Sequence, residues 1–90
     1  MLNTLERLFK LVRDRKNNPI EVSYTNKLLR DKSLSKKKVL EEINELIEAV
    51  EKDSNKIHEA ADVLYHLIVY FEANEIKIED VVAELEKRKK

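Results

Sequence analysis

Not one of the 90 residues is glycine, and the only proline is Pro19. Tight hairpins, bulges and phosphate-cradling loops depend on a residue that enters the left-handed backbone region without steric cost. A chain without it is directed away from all-β folds and glycine-loop nucleotide folds, toward helices joined by short polar breaks. Cysteine is absent too, which removes disulfides, thiolate metal sites and cysteine nucleophiles and suits a reducing, cytoplasmic setting. No uncharged apolar stretch reaches the length of a bilayer span and no leader pattern opens the sequence, so a soluble protein is expected. A chain this short supports one hydrophobic core, and residues 1–90 read as a single domain.

Apolar spacing divides the chain into helices. Leu2, Leu5, Leu8, Phe9, Leu11 and Val12 follow a helical period to about Lys16, with Asn3 or Thr4 as the expected cap. Asn17, Asn18 and Pro19 stop that helix, and Ile20 to Val22 read as an extended connection, because the residue before proline avoids the helical region. Ser23 or Thr25 starts a short second helix ending near Arg30. Ser33 or Ser35 opens a third, in which Val39, Ile43, Leu46 and Val50 recur at helical steps. After a break at Asp53, Ser54 and Asn55, a fourth helix capped by Asn55 runs to about Asn74. Ile78 to Arg88 form a fifth, with Val81, Val82 and Leu85 inward. The expected fold is all-α, an up-and-down bundle of about four to five helices.

The fourth helix departs from ordinary amphipathic patterning. Ile57, Ala60, Ala61, Val63, Leu64, Tyr65, Leu67, Ile68, Val69, Tyr70 and Phe71 cover nearly its whole circumference, the mark of a helix buried on most sides. A lone bundle of this size cannot enclose it, so a homodimer is expected to complete the bundle. One narrow polar stripe remains: Asn55, Glu59, Asp62 and His66. Carboxylates in a groove between apolar walls need a partner. On the third helix Glu42 and Glu45 project as neighbours three residues apart, and antiparallel packing across the short break lets them face Glu59 and Asp62. Two carboxylates about 6 Å apart repel by roughly 2.8 kcal/mol at an effective dielectric near 20. A bound cation, protonation or an inserted Lys or Arg must relieve them. All-oxygen ligation selects a hard ion, Mg²⁺ or Mn²⁺.

Charge is distributed unevenly beneath a formal net charge of zero: residues 1–38 hold eleven Lys/Arg against four Asp/Glu, and residues 39–86 hold three against fourteen. That separation suits a fold that gathers a cation and a polyanion, and equally suits complementary solvated faces.

The pattern Glu42-x-x-Glu45, thirteen intervening residues, then Glu59-x-x-Asp62 resembles the signature of the all-α, MazG-like nucleoside triphosphate pyrophosphohydrolases. More narrowly, SYTNKLL (Ser23 to Leu29), KKVLEEINE (Lys37 to Glu45) and EAADVLYHLIVYF (Glu59 to Phe71) are similar to the phosphoribosyl-ATP pyrophosphohydrolase family of histidine biosynthesis. Two departures stand out: Leu40 occupies a position where many relatives have glycine, and no glycine lies between Leu29 and Lys36, where a loop of different geometry is expected.

The resemblance implies metal-dependent hydrolysis of the α,β-phosphoanhydride of 1-(5-phosphoribosyl)-ATP, giving 1-(5-phosphoribosyl)-AMP and pyrophosphate. It assigns Glu42, Glu45, Glu59 and Asp62 to Mg²⁺. Glu41 joins Glu42 and Glu45 as a catalytic candidate, for a second ion or for orienting water. Lys27, Arg30, Lys37 and Lys38 become phosphate contacts, with Arg13, Arg15 and Lys16 as further cations. Ser23, Tyr24 and Thr25 cap the second helix and line the substrate pocket. His66, one turn after Asp62, is expected to hydrogen-bond a carboxylate rather than ligate the metal. His58 is expected to face solvent, and Tyr65, Tyr70 and Phe71 to serve as core or subunit interface.

Three rival readings remain. One is a house-cleaning hydrolase of non-standard or deoxynucleoside triphosphates. Another is a non-catalytic helical interaction module, indifferent to metal. The last is nucleic-acid binding through Lys36 to Lys38 and Lys87 to Lys90, which the neutral overall balance disfavours; no membrane partner is expected.

Overall fold

The computed structural model describes residues 2–89; Lys90 and the Leu2 side chain lie outside the description. Five helices follow in order: α1 (Leu2–Asn17), α2 (Tyr24–Arg30), α3 (Lys32–Lys52), α4 (Lys56–Ala73) and α5 (Ile78–Lys87). No strand occurs among the described residues. The longest contact runs between α3 and α4, which form an antiparallel hairpin across three residues, while α1 and α2 cover one flank of α4.

Local chemistry sets the helix ends. Asn3 and Thr4 lie inside α1 rather than capping it. Ile20 to Val22 are not extended, because the Ser23 amide bonds to the Ile20 carbonyl at 3.0 Å and closes a turn. Ser23 caps α2 through its hydroxyl. Asn26, almost fully buried, ties the connection down: its Oδ1 accepts from the Ile20 amide at 2.8 Å and its Nδ2 donates to the Arg15 carbonyl at 2.6 Å. Between α2 and α3 there is no loop, only Asp31, whose side chain accepts from the Leu34 amide at 3.0 Å. Asp31 therefore does the capping expected of Ser33 or Ser35, and the segment needs no glycine.

The missing glycines surface at two other helix ends. After α3, Ser54 N–H reaches the Ala49 carbonyl and Asp53 N–H the Val50 carbonyl; after α4, Ile76 N–H reaches Phe71 and Glu75 N–H reaches Glu72. Both are Schellman closures, which place one residue in the left-handed region. Here those residues are Asp53 (φ 52°) and Glu75 (φ 60°). Asn55 (φ 55°) occupies the N-cap position of α4 as expected, but its side chain makes no capping bond.

The core is small: Val12, Leu28, Ile68 and Val69, flanked by Leu5, Leu8, Phe9, Leu29, Leu34 and Tyr65. It lies where α1 and α2 cross α4. Within one chain α4 is left partly uncovered, in line with the expectation that a lone bundle does not enclose it: Ile57 is 88 % exposed and Leu64 50 %. One expectation fails here: α5 contains no buried residue, and Val82 and Leu85 face out. That helix is held at its start by polar contacts, as Arg13 Nη1 and Nη2 each donate to Glu79 at 2.7 Å and Arg13 Nε lies 3.9 Å from Glu72.

Candidate functional site: a carboxylate cleft between α3 and α4

Helical period alone puts Glu42, Glu45 and Ala49 on the face of α3 that meets α4, and Glu59, Asp62 and His66 on one stripe of α4. The antiparallel hairpin then brings the two sets together. Carboxylate oxygens of Glu42, Glu45 and Glu59 lie within 4.8 Å of one another, and so do ligand atoms of His58, Glu59 and Asp62. Glu59 belongs to both groups and joins them. The Asp62 charge also acts on Glu42. Beside Glu45 and Glu59 opens a cleft of about 250 Å³, with Lys52, Ser54 and Asn55 on its far wall.

Crowding and burial shift the carboxylates upward. Glu42 retains only 7 % of its accessible surface; burial, then the adjacent Glu45 carboxylate, raises its pKa above the usual range, against the pull of His66. Glu59 is raised as well, first by burial and then by the charges of Glu45 and Asp62. One oxygen of each, Glu42 Oε2 and Glu59 Oε2, is fully enclosed and has no hydrogen-bond partner. A buried polar atom left unpaired costs about 1–3 kcal/mol. Two such carboxylates, converging with that of Glu45, are the donor type a hard divalent cation takes; oxygens on one octahedral Mg²⁺ stand roughly 3–4 Å apart.

The cations are placed less uniformly. Lys38 sits beside Glu42, its ammonium 3.2 Å from Glu41 and 3.9 Å from Glu42; the Glu41 hydrogen bond raises its pKa. Glu41 is thereby paired with Lys38 and is not one of the three converging carboxylates. Lys27, Arg30 and Lys37 are exposed. Arg13, Arg15 and Lys16 are engaged elsewhere: Arg13 with Glu79, Arg15 donating to Ser23 Oγ at 2.9 Å, and Lys16 to the Glu72 carbonyl at 3.0 Å.

The expectation for His66 is corrected. It is buried, but its Nδ1 lies 2.8 Å from the backbone carbonyl of Asp62, not from a carboxylate, and its Nε2 lies 3.0 Å from the Tyr24 hydroxyl. Backbone geometry explains this, since a side chain four residues on reaches the carbonyl of its own helix turn. Thr25 Oγ1 bonds the Tyr65 hydroxyl, so both Tyr24 and Thr25 fasten α2 to α4. Burial raises the Tyr24 phenol, with Lys38 opposing and the charges of Tyr65, Glu42 and Glu41 adding to it. Sequence reasoning missed two contacts: His58 Nε2 lies 3.3 Å from Asp62 Oδ2, and Asn26 pins the turn before α2. The i,i+4 spacing of His58 and Asp62 was the available signal for the first.

Comparison with known proteins gives the same direction. The sequence model described as phosphoribosyl-ATP pyrophosphohydrolase matches residues 4–89. A phosphoribosyl-ATP pyrophosphatase of Clostridium acetobutylicum is 49 % identical over 89 residues, spanning 93 % of this chain and 79 % of its own. One from Methanococcoides burtonii is 40 % identical over 94 residues, 98 % of this chain and 94 % of its own. A histidine biosynthesis bifunctional protein HisIE of Pyrococcus furiosus is 40 % identical over 90 residues, 99 % of this chain but 43 % of its own. No solved structure matches the chain significantly.

Proposed function

The chain belongs to the phosphoribosyl-ATP pyrophosphohydrolase family, and from that premise we propose that the α3–α4 cleft is where it hydrolyses 1-(5-phosphoribosyl)-ATP to 1-(5-phosphoribosyl)-AMP and pyrophosphate. The observation that carries this placement is the convergence of Glu42, Glu45 and Glu59 with two enclosed, unpartnered oxygens. Glu42, Glu45, Glu59 and Asp62 are the residues that would hold Mg²⁺, with Mn²⁺ as a substitute. Such an ion neutralises phosphate oxygens and makes the bridging oxygen a better leaving group.

The chain's own groups do the rest. Glu41, exposed beside Lys38, orients a water toward the phosphorus and accepts its proton through Oε1 or Oε2. Lys38 holds a phosphate oxygen at the rim, and Lys27, Arg30 and Lys37 supply further positive charge along α2 and the start of α3. Ser23 and Thr25 act mainly by fixing α2, through the cap and the Tyr65 bond. Two copies of the chain pair through the exposed apolar face of α3 and α4, which includes Leu40, Ile47, Val50, Ile57 and Leu64. No helix among the described residues is long and apolar enough to cross a membrane, and a cytoplasmic place fits a small phosphorylated metabolite.

The test is pyrophosphate release from phosphoribosyl-ATP, with and without a chelator, beside a panel of deoxynucleoside triphosphates. Chelation stops the reaction, and Glu42→Gln or Glu59→Gln lowers kcat at least about 100-fold, the scale of losing a charge-stabilising group in an active site, with helicity retained. Turnover of the deoxynucleotides alone would reassign the substrate; full activity in Glu59→Gln would move the reaction elsewhere.

A further inference from the structure

Tyr24 and His66 form a hydrogen bond whose direction is fixed by a third atom. The carbonyl oxygen of Asp62, 2.8 Å from His66 Nδ1, can only accept. Nδ1 must therefore carry the imidazole proton, and in the neutral ring Nε2 is left with a lone pair. The Tyr24 hydroxyl, 3.0 Å from Nε2, is then the donor. Its single proton is spent inward on His66, and its oxygen has only lone pairs left to offer. Tyr24 is 46 % exposed, while His66 behind it is buried. The rings are edge-on to each other with centroids 5.9 Å apart, and Tyr65 lies beside Tyr24 with centroids 6.4 Å apart.

We propose that His66 is a positioning residue that sets the Tyr24 oxygen as a pure hydrogen-bond acceptor one helical turn from Asp62, beside the carboxylate cluster, where it receives a sugar hydroxyl of the nucleotide. This rests on the reading of the cleft as a nucleotide site. The chemistry selects the sugar over the phosphates. A phosphate oxygen brings no proton, and an acceptor facing an acceptor is repulsive, so Tyr24 is unsuited to the triphosphate for which the cleft supplies lysines. A ribose hydroxyl brings the donor that the tyrosine lacks.

Two measurements test it. The chain has two histidines, His58 and His66, so nitrogen–proton correlation of the imidazole rings, with a His58→Gln variant for assignment, reads the His66 tautomer directly. A proton on Nδ1, with the Nε2 signal moving in Tyr24→Phe, is expected; a proton on Nε2 overturns the proposal. Binding of α,β-methylene-ATP, its 2′-deoxy and 3′-deoxy forms and inorganic tripolyphosphate is then measured with Mg²⁺. Tyr24→Phe weakens α,β-methylene-ATP about 2- to 12-fold, the range for one hydrogen bond, leaves tripolyphosphate unchanged, and binds one of the two deoxy forms as the parent chain does. His66→Asn keeps a donor for the Asp62 carbonyl but frees the Tyr24 proton, and gives a smaller loss of the same kind. Equal weakening of tripolyphosphate in Tyr24→Phe overturns the sugar contact while leaving the nucleotide site standing. A parent chain that binds neither nucleotide nor tripolyphosphate overturns the underlying reading of the cleft as well.

Discussion

Glu42 is the residue where stability and function pull hardest against each other. It is buried, its Oε2 has no partner, and both burial and Glu45 disfavour its charged form. A carboxyl group whose folded pKa is raised contributes stability that is fully present below its ordinary value, near 4.3, and lost as pH climbs through the raised value. Glu42 and Glu59 therefore make the metal-free protein less stable from about pH 4 upward. A cation that binds only the folded state reverses this by mass action. The two effects cross in one variant. Without Mg²⁺ at neutral pH, Glu42→Gln melts higher than the parent chain, by about 4–8 °C if the relief is near 1 kcal/mol. With Mg²⁺ the parent gains and the variant does not. Thermal melts in the four conditions check it, and a variant that gains from Mg²⁺ as much as the parent would remove Glu42 from the metal site. This residue was legible from sequence because its neighbours are local: Glu42-x-x-Glu45 and Glu59-x-x-Asp62 each need only the helical period, and a three-residue break leaves few ways to join the helices. The His66 bond was not legible, because a backbone carbonyl on its own helix competes with every side-chain acceptor and leaves no mark in the residue pattern.

Helix existence could be read from apolar spacing, but helix ends could not always be, and the reason lies in competition between neighbouring polar residues. Asp31, Ser33 and Ser35 are all capable caps; Asp31 wins because α2 ends beside it, with its amide bonded back to Lys27. Ser35, drawn into the interior instead, is buried with its hydroxyl unpartnered. The absence of glycine has a measurable consequence at the end of α4, where Glu75 takes a left-handed conformation at φ 60°. A non-glycine residue there costs about 1–2 kcal/mol. Glu75→Gly therefore raises the melting temperature by roughly 4–8 °C, less what the freer unfolded chain takes back; an unchanged or lower melting point contradicts that account of the turn. At the other side of this turn, α5 depends on Arg13, which with the helix's own amides holds the Glu79 carboxyl down to about 2. A depressed carboxyl gives stability present above its ordinary value, about 4.3, and lost as pH falls through about 2. Amide protection in residues 78–87 should hold from neutrality to about pH 4 and disappear toward pH 2 before the α3–α4 hairpin opens. Glu79→Gln loses it at neutral pH. Protection that outlasts the hairpin in acid would mean that α5 is held by something other than this pair.

At the scale of the whole molecule the apolar circumference of α4 carries two expectations together, a helix buried on most sides and a single chain unable to enclose it, because periodicity reports that a face is apolar and not whose atoms cover it. The chain measures 39 × 38 × 24 Å, a slab whose interior reaches α4 from the α1–α2 side while Leu40, Ile47, Val50, Ile57 and Leu64 stay out. Fully burying a Val, Leu or Ile side chain contributes about 1.5–3 kcal/mol each, so these five exposed residues are worth covering, and a second copy would bring an identical face in a two-fold arrangement. The consequence for function is geometric: α3 and α4 carry the four carboxylates and this apolar face at different helical angles, so the proposed pairing would brace the hairpin while leaving the cleft open. Charge placed on the face separates pairing from folding. Ile47 and Leu64 are already half exposed in the single chain, so Ile47→Glu or Leu64→Glu changes monomer stability by only about 0.5 kcal/mol. Each nonetheless buries a carboxylate in the dimer, at a cost of several kcal/mol unless it is paired. Light scattering at micromolar concentration should give twice the chain mass for the parent and the single mass for either variant, and the melting temperature of the parent alone should rise with protein concentration. Since the carboxylates all lie within one chain, the monomeric variants keep Mg²⁺-dependent stabilisation. A parent chain that scatters as a monomer, with a melting point indifferent to concentration, shows that the α3–α4 face is not paired.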